Sequence, residues 1–117
     1  MTKEVAVPRP ASTMLLLRDG PAGMQVFMVV RHHQIDFASG ALVFPGGSVD
    51  KSDHELALKP EFYSSSAGLD DVSIALRIAA LRETFEESGI LLARRHGSDA
   101  LVPAQLAASR APGMARV

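Results

Sequence analysis

Arg82, Glu83, Glu86 and Glu87 fall within six consecutive residues. Steps of three and four residues place side chains on neighbouring turns of a helix, so the three carboxylates would crowd together there. Like charges so placed destabilise an isolated helix, and something must offset the repulsion. A hard divalent cation such as magnesium does this, because it takes oxygen ligands and is usually held by a few carboxylates together with substrate phosphates. Arg82, four residues before Glu86, offers an ion pair as well. The competing reading is a solvated acidic helix face with no ligand. His32 and His33, beside Asp36, read as loop residues, since neighbours on an extended segment point to opposite sides. Met14, Met24 and Met28 read as packing or turn filler.

These carboxylates need an element to carry them. From Asp70 to Ser88 the apolar residues Ile74, Ile78, Leu81 and Phe85 recur at helical steps, which predicts an amphipathic helix with that stripe buried. Glu83, Glu86 and Glu87 would then share the exposed side. Asp70, Asp71 or Ser73 can cap its start, and Gly89 suits its C-terminal end. Upstream, the β-prone runs Thr13 to Arg18 and Met24 to Arg31 flank a turn-rich stretch, Asp19 to Gly23, and predict a hairpin. Ala41 to Phe44 reads as a strand running into a special loop at Pro45-Gly46-Gly47. The stretch from Ser48 to Leu69 shows no sustained period and is expected to be mostly loop. Ile90 to Ala93 is a candidate strand, and Ala104 to Ser109 a candidate short helix.

Arg82-Glu83-Thr84-Phe85-Glu86-Glu87-Ser88-Gly89-Ile90, preceded by a Gly-Gly pair at a strand end, resembles the signature of the Nudix hydrolases. That signature runs Gly, five residues, Glu, seven residues, then Arg-Glu-apolar-any-Glu-Glu-any-Gly-apolar. Thr84 departs from it by standing at an apolar position. With Gly47 as the leading glycine, Asp53 takes the place of the first glutamate, and an insertion at about 54–69 separates the two halves. As a turn aspartate, Asp53 has a plain structural reading too. The stretch from Arg31 to Asp53 is similar to the branch that cleaves coenzyme A and acyl-coenzyme A diphosphates, through Gly40, Phe44, Pro45, Gly46, Gly47, Asp50 and Asp53. Asp36 stands where that branch carries a second Arg.

The resemblance implies an α/β fold, a Nudix-type α/β/α sandwich with a mixed sheet, formed by residues 1–117 as a single domain. It implies Mg2+ or Mn2+ held by Glu83, Glu86, Glu87 and Gly47, with Arg82 orienting the carboxylates. Arg31, Phe44, Gly46 and Gly47 would contact the substrate, a small-molecule nucleoside diphosphate derivative, with coenzyme A or acyl-coenzyme A the first choice. Exposed strand-end charge is the competing reading of Arg31. The alternative function is a non-catalytic Nudix-like module that binds a nucleotide or a protein. Only 28 residues follow Gly89, so the expected fold is incomplete at its C-terminus. The open sheet edge this leaves would favour pairing with a second copy, a homo-oligomer.

Bulk properties bound these expectations. Of the 117 residues, 47% are apolar and 21% charged, as in ordinary globular domains. A net charge of −1 supplies no basic field for nucleic acid or an anionic membrane. With no cysteine, thiol catalysis and Cys-ligated zinc are excluded, and a cytoplasmic location is the expectation. No apolar run approaches the length of a membrane span.

Overall fold

The computed structural model describes residues 5–30, 40–63 and 67–103. Its centre is α2, Asp71–Ser88, which begins and ends where the sequence signals place it. Asp70 caps it by accepting a hydrogen bond from the Ser73 amide at 2.8 Å. Gly89 ends it in the left-handed region, φ 78°, and its amide donates to the Phe85 carbonyl at 2.8 Å.

Among the described residues, six short strands accompany the helix. β1 (Ala11–Thr13) pairs with β6 (Gly46–Ser48), β2 (Leu17–Gly20) with β3 (Gly23–Val26), and β4 (Val29–Val30) with β5 (Leu42–Val43). The α/β class stands, with helices packed on strands. All three pairings are antiparallel, so among the described residues the mixed sheet is represented by separate two-stranded ladders. The predicted hairpin forms as β2 and β3, but the first β-prone run divides. Its start joins β1, which pairs Ser12 with Gly47, and its end joins β2. Gly46-Gly47 is therefore paired strand and not the special loop expected of it.

Two further expectations are corrected. The stretch after Ser48 is not mostly loop: α1 occupies Lys51–Ala57 and a 3-10 turn follows at Pro60–Phe62. Asp53 explains the helix start, because its carboxylate accepts from the Asp50 amide at 2.8 Å and satisfies a donor that a helix N-terminus leaves free. Ile90 to Ala93 forms no strand; the chain there makes only an isolated bridge between Arg94 and Leu101. The candidate helix at 104–109 lies outside the described residues.

The core sits between the helices. Ala57 of α1 and Ile74 and Ala75 of α2 are buried, with Val49, Tyr63, Leu69 and Ile78 packed against them. The Tyr63 hydroxyl donates to the Ala57 carbonyl at 2.8 Å and closes this end. The buried face of α2 is not the stripe expected from its larger apolar residues. Ile74, Ala75, Ala79, Ala80 and Thr84 are buried, whereas Leu81 is 38% exposed and Phe85 half-buried. Two neighbours, α1 on one side and β1 with β6 on another, compete for the helix. Alanines let both backbones come close, a gain of contact that larger side chains would forfeit.

Candidate active site

Strand β6 lies directly under the carboxylate turn of α2. A Cβ added at Gly47 would come 2.5 Å from the Glu83 Cδ, and one added at Gly46 would collide with the Ser12 carbonyl. Both glycines are required by close approach. The Gly46 amide donates to Glu87 Oε2 at 3.2 Å. Glu83 and Glu87 thus point into the strand, and the shared exposed face anticipated for all three glutamates is corrected: the Glu83 side chain is 18% exposed, that of Glu86 51%.

Burial pushes the Glu87 carboxyl above its ordinary range, against the Gly46 amide, which favours the charged form. The charge of Glu83, a hydrogen bond shared with it and the charge of Glu86 add to the upward shift.

Arg82 is held from two sides. Its Nε donates to Asp53 Oδ1 at 2.9 Å and its Nη2 to Asp53 Oδ2 at 3.0 Å, a bidentate pair with a carboxylate only 1% exposed. Nη2 also donates to the Ser48 carbonyl at 3.0 Å. Nη1 reaches Glu83 Oε1 and Glu86 Oε2, each at 3.0 Å. Burial alone would raise the Asp53 carboxyl, but the Arg82 and Asp50 hydrogen bonds and the Arg82 charge outweigh it and leave it below its ordinary value. Asp53 in turn holds the guanidinium above its ordinary range, against the cost of burial, with Glu83 and Glu86 assisting.

The structure brings together Arg82, Glu83, Glu86, Glu87, Gly46 and Gly47 and joins to them Asp53, which the resemblance set at the first-glutamate position and which also reads as a turn aspartate. A carboxylate three residues after Asp50 was the signal for it, since that spacing is a capping pattern. Phe44, at the end of β5, is 37% exposed. Arg31, with His32, His33 and Asp36, lies outside the described residues. Among the described residues no group of three or more His, Asp or Glu side chains is arranged to hold a metal ion, and Arg82 bonds both Glu83 and Glu86. The donor set still fits a hard divalent cation: its side-chain donors are all carboxylate oxygens, and the like charges of Glu83 and Glu86 lie near enough to Glu87 to raise it. An open groove of about 760 Å³, bounded by Leu16, Phe27, Met28 and Ile90, shares none of these residues.

No protein-family model matches the chain. A crystal structure of a NUDIX hydrolase from Alicyclobacillus acidocaldarius superposes with a TM-score of 0.67 at 36% identity, covering 90% of this chain and 49% of that one. A Caenorhabditis elegans protein provisionally named nudix hydrolase 7 is 42% identical over 67 residues, 57% of this chain and 17% of that protein. Acyl-coenzyme A diphosphatase NUDT19 of Xenopus laevis is 33% identical across 58% of this chain and 25% of its own length. The chain therefore spans half or less of each of these proteins. The chain is thus similar in fold to a Nudix hydrolase and similar in sequence to parts of proteins named as Nudix hydrolase and acyl-coenzyme A diphosphatase. Among the described residues no helix is long and apolar enough to cross a membrane.

Proposed function

We propose that the protein is a metal-dependent hydrolase that cleaves the phosphoanhydride bond of a nucleoside diphosphate derivative, with coenzyme A or acyl-coenzyme A as its substrate. The observation that carries this is the pairing of Glu83 with Glu87 over a strand stripped of side chains, beside an Arg held by a buried carboxylate. The likeness to a protein named for acyl-coenzyme A diphosphatase activity supports the substrate class. Glu83, Glu86 and Glu87 would hold Mg2+ or Mn2+, with the Gly47 backbone beside them. Such an ion, when bound, neutralises diphosphate charge and acidifies a coordinated water. The protein's own part is positional. Asp53 fixes Arg82, Arg82 sets the carboxylate rotamers, and the absence of side chains at Gly46 and Gly47 lets the strand come close under Glu83 and Glu87. Glu87, pushed up by burial in the free protein, would act as the proton acceptor for an attacking water.

The engagement of Glu83 and Glu86 by Arg82 favours a second reading, a non-catalytic module whose carboxylates serve structure alone. Incubating the protein with coenzyme A and magnesium, and following phosphopantetheine and adenosine 3′,5′-bisphosphate by chromatography, separates the two. Magnesium-dependent formation of both products is the expected result. Their absence, with other nucleoside diphosphate derivatives also untouched, would leave the binding module as the function.

A further inference from the structure

The carbonyls of Leu76, Ala80 and Thr84 are spaced four residues apart and so form one line along α2. Each accepts a hydroxyl. Ser12 of β1 donates to Leu76 at 2.5 Å, Thr84 to Ala80 at 2.7 Å, and Ser88 to Thr84 at 2.5 Å. Ser88 also accepts from the Ile90 amide at 3.2 Å, which ties the line to the helix end. Thr84 is fully buried and stands where the family resemblance calls for an apolar residue. An apolar side chain would fill the same space without touching the Ala80 carbonyl.

A hydroxyl bonded to a carbonyl already used by the helix draws that carbonyl outward and bends the helix, convex on the bonded side. Here two such bonds fall on successive turns, and the residues just before Thr84 and Ser88 are Glu83 and Glu87. The Glu83 carboxylate lies over Gly47, where an added carbon would come 2.5 Å from it, and the Gly46 amide donates to Glu87, so a change of helix path moves both carboxylates relative to the strand. We infer that Ser12, Thr84 and Ser88 are positioning residues whose hydroxyl line sets the path of α2 and thereby seats Glu83 and Glu87 against Gly46-Gly47. The inference rests on the reading of that carboxylate pair as cation-binding.

Manganese affinity, measured on the folded protein from the free-ion electron paramagnetic resonance signal, tests it without reference to turnover. Thr84→Val keeps the branched shape and removes the hydroxyl; it should weaken Mn2+ binding about tenfold, the scale of lost outer support at metal sites. Its thermal midpoint should stay close to that of the parent, since the hydroxyl serves only its own helix. Thr84→Ser restores the donor and should return affinity to within about twofold of the parent. Parental affinity in Thr84→Val overturns the inference, and where that variant does not fold, Ser88→Ala makes the same comparison with the same two outcomes. A parent protein without Mn2+ affinity sensitive to Glu83→Gln and Glu87→Gln defeats the cation reading itself and this inference with it.

Discussion

The two halves of α2 solve opposite problems against close neighbours. Its first half meets α1 through Ile74 and Ala75, where burial is favourable and the side chains carry no charge. Its second half presses Glu83 and Glu87 onto β6, where burial is costly and raises the Glu87 carboxyl. The first half is held by apolar burial, and the second brings charged groups into a half-buried contact. What links the halves is Asp53, anchored on α1 and clamped to Arg82.

The sharpest break of that contrast is Glu87→Gln. It should lower hydrolysis at least about a hundredfold, roughly 2.7 kcal/mol of transition-state stabilisation. Melting should stay the same or rise, because a strained charge is removed; comparison of initial rates and thermal midpoints checks both. Glu86→Gln should reduce the rate similarly, again with little change in melting, its side chain being half exposed.

Next is Asp53→Asn, which touches both halves at once. Removing one partner of a buried ion pair costs about 3–5 kcal/mol, and partial solvation of Arg82 lowers the expectation to roughly 2–3 kcal/mol by urea denaturation. The acid limb of stability carries the sign. The folded Asp53 carboxyl lies below its ordinary 3.8, so its contribution is complete above that value and drains as pH falls through the lower folded value. Asp53→Asn should flatten this limb; an unchanged acid slope would show that the pair contributes nothing net.

Gly47→Ala adds a carbon where Glu83 stands, and should cost about 1–3 kcal/mol unless Glu83 swings away. Loss of manganese affinity with intact folding would indicate the swing. The smallest effect belongs to Leu81→Ala: at 38% exposure it should cost about 1 kcal/mol or less beyond helix propensity, and a loss above about 3 kcal/mol would restore the apolar stripe to the buried face.

Much of this was legible in advance, and the particular misses have physical reasons. The bounds of α2 followed from Asp70 and Gly89, because caps are local. The hairpin followed from its turn residues, though not the split of its first strand, which depends on β6 arriving from more than thirty residues away. The carboxylates and Arg82 were legible as a set, but their direction was not. The helix wheel weights large apolar residues, whereas two close-packed neighbours select small ones, and Ala75, Ala79 and Ala80 decided which side faces in. Helix α1 escaped notice because its apolar residues show no sustained period, and only the Asp50 and Asp53 spacing marked its start.

Asp53 has a consequence for how this sequence can drift. Its carboxylate is pleiotropic: Oδ2 alone accepts from both the Asp50 amide and Arg82, so one atom belongs to a helix start and to a charge clamp. A substitution tolerable for one duty fails the other, and effects on two functions sharing an atom do not add. Exchange for Glu lengthens the reach by one methylene and would need the start of α1 and the Arg82 rotamer to adjust together. Single-step neutral paths away from Asp53 are therefore closed, and its replacement should be found only where the length or capping of α1 has changed with it.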